Sequence, residues 1–288
     1  MTFSVIVPFH NEEEHIEKCV QALLNQSIDR SEYEIFFVDN NSTDKSASIV
    51  RKYLGINLLY ENKQSSYSAR NKGIQSSKGE IVAFTDADCV VDRDWLKNLS
   101  ACLKESGQDI VLGSHKFDYG RSRILRMITD YENAKIEYIV TAPLSKNYYY
   151  GFTNNMAFKA SVFKKVGLFS EVERGADTEF VHQYLSLESK PKITYLSGMS
   201  INHLEIITLK DWLRKQFIRG QSNKRLSSSV DYKALSFRRK NEIFGYTIKK
   251  YHYGFLRSLA LFILLFTGNV FYFAGGCKYA LHKAYGRA

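Results

Sequence analysis

The sequence contains few of the residues that mark several common protein classes. It has only 3 prolines and 4 cysteines in 288 residues. So few prolines exclude a proline-rich linker. The cysteines are scattered and form no CxxC pair, which argues against a zinc module and a disulfide framework. Cys19, Cys89, Cys102 and Cys277 are therefore expected to be reduced, mostly buried thiols of a cytoplasmic protein.

Several binding signatures are also missing. No GxGxxG follows the first predicted strand and no GxxxxGK[ST] occurs anywhere, which argues against a dinucleotide oxidoreductase and a P-loop enzyme. The chain lacks the patterns of a zinc finger, an RNA-recognition motif and a basic zipper, so no nucleic acid partner is expected. The first residues enter a strand without a charged leader, and no secretory signal is predicted.

Acidic residues are the minority among the charges. The 40 Lys and Arg outnumber the 30 Asp and Glu and give a net charge of +10. With nucleic acid disfavoured, this excess suits anionic lipid or a polyphosphate substrate. The composition is 44% hydrophobic and 14% aromatic, which is enough for a well-buried domain with an appendage.

The first third of the chain alternates between strand and helix patterns. Strands are predicted at Phe3–Val7, Glu34–Val38, Asn57–Tyr60 and Ile81–Thr85. The segments between them carry apolar residues at helical spacing or helix-capping residues. This alternation predicts an α/β fold with a mostly parallel central sheet flanked by helices.

The most informative segment is the run Ile81–Thr85, which ends in Asp86-Ala87-Asp88. Such an apolar, β-branched run is typical of a buried parallel strand. Ligands of open α/β sheets lie beyond the carboxyl ends of the strands, and carboxylates there suit Mg²⁺ or Mn²⁺ carrying a diphosphate. The plainer alternative is a solvated turn, because aspartate is common where strands end.

Two further strand ends are expected at the same edge of the sheet. The first strand leads into the segment from Pro8 to Glu12, and the second into the segment from Asp39 to Asp44. A nucleotide fits these groups, because Asp39 can accept the N–H of a pyrimidine and Asp86 can accept ribose hydroxyls. Asp88 can then bind the metal that bridges two phosphates.

Four segments in this order resemble glycosyltransferase family 2, which has the GT-A fold. They are Ser4–Glu12, Val38–Asp44, Ser68–Ile74 and Gly79–Asp88. The resemblance covers roughly residues 1–225. It implies inverting transfer of a sugar from a nucleoside diphosphate donor, UDP-linked by family frequency, with Mn²⁺ or Mg²⁺ as cofactor.

The resemblance also implies roles for individual residues. The expected nucleotide-binding residues are Pro8, Phe9, Glu12, Asp39, Arg70, Asn71, Asp86 and Ala87. Asp88 is expected to bind the metal. His203 matches a histidine that often follows the last strand, where it would complete the metal shell or touch the diphosphate. The alternative for His203 is an ordinary core or surface histidine.

Inversion in a single displacement needs a base opposite the leaving group. Asp177 is the expected base, because it stands where the family often has Glu-Asp at the start of a helix. Here Ala176 replaces that glutamate, and Glu179 is the alternative base. A carboxylate in the first turn of a helix can also be purely structural, since the helix dipole favours it.

The acceptor and the diphosphate have further candidate residues. By family position, Asn154, Asn155 and the aromatic segment Tyr148–Phe152 lie on the acceptor side of the cleft, although a core aromatic cluster is an equal alternative. Arg219 belongs to a basic stripe on the predicted helix Leu209–Leu226. This stripe is either a closing element over the diphosphate or a solvated helix face.

The C-terminal fifth has a different character. Ser258–Gly276 is an uncharged stretch of about nineteen residues, long enough to cross a hydrocarbon core of roughly 30 Å. Membrane contact is expected, with an interfacial hairpin and a buried helix as alternatives to a span. Basic residues on both sides leave the orientation open.

The expected organisation is a GT-A domain over residues 1–226 and a basic, hydrophobic, membrane-associated region over 227–288. Within the domain, residues 1–113 would form the nucleotide-binding half and 114–226 the acceptor half. The predicted function is a metal-dependent, inverting glycosyltransferase at the cytoplasmic face of the membrane. It would act on a glycan or lipid-linked acceptor in the synthesis of cell-surface polysaccharide or glycolipid. The alternative is a non-catalytic partner subunit that binds a nucleotide sugar.

Overall fold

The computed structural model describes residues 1–116, 122–142, 148–172, 174–206, 208–226 and 233–285. The strands are β1 (Phe3–Phe9), β2 (Tyr33–Asp39), β3 (Asn57–Tyr60), β4 (Ile81–Thr85), β5 (Cys89–Val91), β6 (Ile110–Lys116), β7 (Asn155–Lys159) and β8 (Ile193–His203). The helices are α1 (Ile16–Leu24), α2 (Ser46–Val50), α3 (Ser66–Ser76), α4 (Trp95–Ser106), α5 (Arg123–Thr141), α6 (Ala160–Val166), α7 (Ala176–Leu187), α8 (Leu209–Leu226), α9 (Phe237–Lys250) and α10 (Phe255–Tyr285), with a 3₁₀ turn at Arg30–Glu32.

The strands form one mixed sheet in the order β3-β2-β1-β4-β7-β6-β8-β5. β1 pairs in parallel with β2 and β4, and β2 pairs in parallel with β3. β7 is antiparallel to both of its main neighbours, and β5 is antiparallel to β8. Six of the eight strands in the described residues therefore run in one direction, and the predicted α/β fold with a mostly parallel sheet and flanking helices is confirmed.

β1 is the centre of the core because its two faces are both covered. All seven of its residues are buried. Val5 and Val7 on one face belong to a cluster with residues of α1 and α4. Ile6 on the other face contacts α3 so closely that a Cβ at Gly73 would lie 2.5 Å from its Cγ2 atom. Burial on both faces explains the continuous apolar sequence of this strand.

The chain divides into two compact units. The first comprises Met1–Lys116 and Tyr150–Leu204 and holds the sheet, and the second comprises Phe117–Tyr149 and Glu205–Ala288. Residues 150–204 group with the N-terminal residues because β7 and β8 return into the sheet. This grouping differs from the predicted boundaries at 113/114 and 226/227. The division into a nucleotide-binding half, an acceptor half and a membrane-associated region stays a prediction.

In the second unit, α8 and α10 approach each other at a distance that only glycine allows. A Cβ at Gly220 would lie 1.9 Å from the carbonyl oxygen of Tyr272, and a Cβ at Gly275 would lie 2.0 Å from that of Phe217. Nearer its start, α10 contributes Leu261 to a buried cluster with Ile243 of α9. Small residues at such crossings let two backbones meet directly.

The predicted apolar stretch lies within the single helix α10. Within Phe255–His282 the most apolar stretch of 18 residues has a mean hydropathy of 1.8, and only 17% of that stretch is buried. By length and composition this helix is able to cross a membrane, which alone is weak evidence that it does.

The close α8–α10 crossing predicts a specific sensitivity to a single methyl group. We expect Gly220→Ala to destabilise the protein by about 1–3 kcal/mol, because the added Cβ overlaps a backbone oxygen that cannot easily move. Thermal and urea unfolding, followed by circular dichroism, measure the change.

Gly245→Ala is the matched control for this prediction. Gly245 lies in α9, where no atom of the described part of the chain is near the position of a Cβ, so alanine should be neutral or stabilise by about 0.4–1 kcal/mol. Equal responses of the two variants would contradict the proposed close contact.

Candidate functional site

The ends of β1 and β2 are joined into one surface by hydrogen bonds between their loops. The backbone N–H of Asn11 donates to Ser42 Oγ at 3.1 Å, and that of Thr43 donates to Asn11 Oδ1 at 2.8 Å. Asn11 adopts a φ of 55°, a left-handed conformation that asparagine tolerates. Asp39 is buried at the end of β2, where its Oδ1 accepts the N–H of Ser42 at 2.9 Å.

Asp39 and the Asp86-Ala87-Asp88 turn lie at the same edge of the sheet. Asp39 is in register with Phe9 of β1, and Phe84 of β4 is in register with Ile6. The turn therefore begins at about the level of Asp39, two strands away. Neighbouring strands are about 4.8 Å apart, so this offset corresponds to about 10 Å.

The pairing of β5 with β8 brings His203 beside this turn. Cys89 is in register with His203, and the N–H of Leu204 donates to the carbonyl oxygen of Asp88 at 2.8 Å. As a result, His203 Nδ1 lies 3.5 Å from Asp88 Oδ2, and both side chains are about nine-tenths buried. Two residues far apart in the sequence thus form a buried carboxylate–imidazole pair.

The composition of this pair fits a divalent cation. One potential ligand atom from each of Asp88, Cys89 and His203 lies within 4.8 Å of the other two. Burial is the main cause that raises the pKa of the Cys89 thiol, and this thiol donates to Asp88 Oδ1 at 3.3 Å. Asp88 and His203 offer a carboxylate oxygen and an imidazole nitrogen, both of which are ligands of divalent ions in proteins.

Asp86 is paired with Arg70 of α3. Arg70 Nη2 donates to Asp86 Oδ1 at 2.5 Å, and the guanidinium is almost fully buried. The ring of Tyr67, one helical turn earlier, lies 5.4 Å from the guanidinium carbon. Ser65 caps this helix by accepting the N–H of Tyr67, and so fixes the turn that carries both side chains.

Asp177 lies in the first turn of α7 and is held by several donors. Its Oδ2 accepts the N–H of Thr153 at 3.2 Å, and its Oδ1 accepts the N–H of Thr178 at 2.9 Å. Burial raises the pKa of this carboxyl, while Arg70, the two N–H groups and the Tyr67 hydroxyl oppose part of that rise. The net result is a carboxylate of increased basicity, which suits proton transfer.

Glu179 occupies a different environment. It is buried, and its Oε2 accepts the hydroxyl of Ser170 at 2.5 Å. Two residues along a helix correspond to about 200° of rotation, so Glu179 and Asp177 point in roughly opposite directions. Among the contacts described, those with Arg70 and Tyr67 belong to Asp177.

Two of the candidate amides already have protein partners at both ends. Asn71 exchanges hydrogen bonds with the backbone of Phe169 at 2.9 and 3.0 Å. Asn155 accepts from Trp95 Nε1 and donates to the carbonyl oxygens of Ser114 and Met199. Contacts of these amides with nucleotide, diphosphate or acceptor would require bonds to break. Those roles remain predictions, and the bonding pattern argues for a structural role.

The remaining candidates in the first unit vary in exposure. Pro8, Phe9 and Ala87 are buried, and the latter two belong to the main core cluster, so backbone groups are the parts available for nucleotide contact. Glu12 is half-buried and lies 3.4 Å from His15. Asn154 is half-buried, with its Oδ1 3.2 Å from His115 Nε2.

Arg219 belongs to the second unit, on α8. Its Nη1 lies 3.1 Å from Glu132 Oε1 of α5, and about half of its side chain is exposed. Although burial alone would raise it, the pKa of Glu132 is lowered to about 2 by Arg219 and Lys135. The diphosphate role of Arg219 remains a prediction.

Sequence reasoning missed two contributors to the site. Tyr67 was not singled out, although its position three residues before Arg70 places both on one helix face. β5 was also missed, because a strand of three residues is too short to show alternation.

The fold is that of a GT-A type protein, and comparison with known proteins identifies its family. Residues 4–167 match the model of Glycosyl transferase family 2. This match covers more than half of the 288-residue chain. The chain therefore belongs to glycosyl transferase family 2, a family of enzymes that transfer sugars.

Two curated relatives share part of the sequence. Glycosyltransferase AglE of Haloferax volcanii is 40% identical over 121 residues, which cover 40% of each chain. The poly(ribitol-phosphate) beta-N-acetylglucosaminyltransferase TarS of Staphylococcus aureus is 34% identical over 126 residues, 42% of this chain and 22% of TarS. The matches thus span less than half the length of either relative.

Solved structures support the same fold. S. aureus TarS 1-349 in complex with UDP-GlcNAc matches with a TM-score of 0.57 and 21% identity, covering 88% of this chain and 74% of that one. The mannosyltransferase PcManGT from Pyrobaculum calidifontis, in complex with GDP-Man and Mn²⁺, matches with a TM-score of 0.59 and 18% identity, covering 98% and 75%.

The buried Asp88–His203 pair predicts metal-dependent binding of a nucleotide. We expect UDP to raise the melting temperature when Mn²⁺ is present, because a ligand that binds only the folded state stabilises it by about 2.7 kcal/mol at 100 times its Kd. Asp88→Asn and His203→Gln should each reduce this shift and weaken Mn²⁺ binding measured by electron paramagnetic resonance.

Glu105→Gln is the control, because it removes an exposed carboxylate from the C-terminal end of α4. Mn²⁺ binding that survives both site substitutions would contradict the assignment of the metal site. A shift with GDP but not with UDP would change the expected donor.

Proposed function

We propose that this protein is an inverting glycosyltransferase that moves a sugar from a UDP-linked donor to a glycan or lipid-linked acceptor at the cytoplasmic face of the membrane. The observation that carries the proposal is the buried Asp88–His203 pair at the sheet edge that also bears Asp39 and Asp86. The UDP-GlcNAc bound to TarS supports a UDP-linked donor.

In the proposed donor site, one group of residues would recognise the base of the nucleotide, and another would hold the metal ion that offsets the charge of the diphosphate. Asp39, at the end of β2, would accept an N–H of the base. Asp88 and His203 would hold the divalent ion, Mn²⁺ or Mg²⁺. The Mn²⁺ bound to PcManGT supports Mn²⁺ here. When bound, this ion would neutralise the charge that develops on the departing diphosphate.

Asp177 is proposed as the base. The acceptor hydroxyl transfers its proton to the Asp177 carboxylate while its oxygen forms a bond to the anomeric carbon of the donor. The bond from that carbon to the diphosphate oxygen breaks, and the nucleoside diphosphate leaves. A single displacement of this kind inverts the anomeric configuration. The raised pKa of Asp177 supports this role, because a more basic carboxylate takes a hydroxyl proton more readily.

Arg70 is proposed to act on two carboxylates of the site, Asp86 on the donor side and Asp177, the proposed base. It forms an ion pair with Asp86 and offsets part of the rise that burial causes in the pKa of Asp177, so it influences both the donor side and the base. Without this cation, burial would favour the protonated form of Asp177, which cannot accept a proton.

The proposed acceptor and location rest on different observations. TarS is named for action on poly(ribitol-phosphate), a polymeric acceptor, which supports a glycan or another cell-surface polymer here. The apolar helix α10 supports attachment to a membrane, where a lipid-linked acceptor would be reached. UDP-linked sugars are made in the cytoplasm, which supports the cytoplasmic face.

The assignment of the base predicts contrasting results at two carboxylates. We expect Asp177→Asn to lower kcat by about 10²–10⁴-fold, because the amide cannot accept the proton. Glu179→Gln should retain most of the activity, since Glu179 points away from Asp177 and accepts the hydroxyl of Ser170. Transfer from labelled UDP-sugars to membrane extracts measures the rates, and nuclear magnetic resonance of the product reports the anomer.

Thermal unfolding and UDP binding of both variants control for misfolding. An active Asp177→Asn enzyme together with an inactive Glu179→Gln enzyme would reject Asp177 as the base. Retention of the anomeric configuration would reject the single displacement.

The contacts of Asp177 also predict a pH effect of Tyr67→Phe. Loss of the hydroxyl removes a group that lowers the pKa of Asp177, so this pKa should rise further. The base must be deprotonated, and activity is lost as pH falls through its pKa. The acidic limb of the profile of kcat/KM against pH should therefore move to higher pH.

Tyr33→Phe is the matched control, because it removes a buried tyrosine hydroxyl that donates to Leu23 O at 3.0 Å, away from Asp177. A lower rate with an unchanged limb in Tyr67→Phe would show that Tyr67 acts only on packing.

A further inference from the structure

The second unit carries an exposed apolar stripe along α10. Leu259, Phe262, Ile263, Phe266, Val270 and Phe273 are each between 46% and 73% exposed. Their spacing of mainly three and four residues places them along one side of the helix. A continuous stripe of this size on a protein surface marks an interaction site.

The opposite side of α10 is covered by other helices over much of its length. Leu261 is buried with Ile243 of α9. Further along, Gly268 contacts Trp212 and Gly275 contacts Phe217, both on α8. From Leu261 to Gly275 the helix rises by about 21 Å. If α10 crossed a bilayer, α8 and α9 would therefore lie inside about two-thirds of the thickness of the hydrocarbon core as well.

The covering helices are too highly charged for that position. Residues 209–226, which form α8, include six Lys and Arg and one Asp. Lys240 of α9 donates to Asn269 Oδ1 at 2.6 Å, and Asn269 lies at the midpoint of the apolar segment Phe255–His282. If α10 crossed a bilayer, this ammonium group would lie near its centre, where a charge is costly.

The charge of this region indicates the partner. Residues 227–288 contain ten Lys and Arg but only two acidic residues, and so carry +8 of the net charge of +10. An apolar helix face combined with such an excess of cations complements an anionic lipid surface.

We propose that α10 lies in the plane of an anionic membrane surface, with its apolar stripe inserted to the level of the upper acyl chains, and does not span the bilayer. This inference deepens the membrane attachment proposed above. The helix α8, packed along its other side, stays in the aqueous and headgroup region. Although α10 is long enough to span a bilayer, it would therefore serve as a shallow anchor.

The test uses the full-length protein and vesicles of phosphatidylcholine with or without phosphatidylglycerol. We expect flotation with the anionic vesicles, weakened by salt. The double variant Phe266→Glu with Phe273→Glu should reduce binding by about tenfold or more, because two aromatic side chains leave the lipid. Leu54→Glu is the control, since Leu54 is 93% exposed in the other unit.

A depth measurement separates the in-plane helix from a span. Single cysteines replace Leu259, Phe266 and Phe273 in a background where Cys102 and Cys277 are serine, and each carries a nitroxide. Paramagnetic relaxation by oxygen and by a water-soluble nickel complex then gives the depth of each probe. An in-plane helix predicts similar, shallow depths, whereas consecutive sites of an upright span differ by about 10 Å along the bilayer normal.

A depth gradient across the three sites would overturn the in-plane arrangement. Absence of vesicle binding, with a dimer in solution that the double variant dissociates, would replace the membrane by a second copy of the chain. UDP binding measured on the same samples keeps these outcomes separate from a failure of the proposed transferase function.

Discussion

The short antiparallel pairing between Cys89–Val91 and Ile201–His203 is the constraint on which the proposed chemistry depends. It places His203 3.5 Å from Asp88, although the two residues are more than a hundred positions apart in the chain. Because both side chains are buried, they are held in position before any ligand binds. Such pre-organisation is what a metal site needs if binding is not to be offset by ordering of its ligands.

A second constraint is the charge balance around Arg70. Its buried guanidinium pairs with Asp86 and offsets part of the rise that burial causes in the pKa of Asp177. Buried carboxylates without such a cation would be held neutral by desolvation. One side chain of α3 thus links the strand end that carries the donor motif with the helix start that carries the proposed base. Tyr67 supports this arrangement through its contact with the Arg70 guanidinium.

The second unit combines two properties that are usually separate. Its glycines bring α8 and α10 into backbone contact, while the exposed side of α10 is apolar. Close packing of a charged helix along an apolar one produces a surface with two distinct faces. Such a shape suits a boundary between water and lipid.

The amino-acid sequence by itself determined the fold class, and it predicted where along the chain the candidate site lies. The strands β3 and β4 agree with their predicted limits, and β4 is a buried parallel strand marked by a continuous apolar run. The Asp86-Ala87-Asp88 motif directly follows such a strand, so its place at a sheet edge follows from topology.

Tertiary structure alone decided which side chains have partners. Asn71 and Asn155 have the polar character of ligand-binding residues. However, the amide of Asn71 bonds to Phe169, and that of Asn155 bonds to residues of β6, β8 and α4. Equally, the length of α10 is compatible with a span, and only the charged helix packed along it argues for an in-plane position. Composition and periodicity report local preference, whereas hydrogen-bond partners and packing are set by residues distant in sequence.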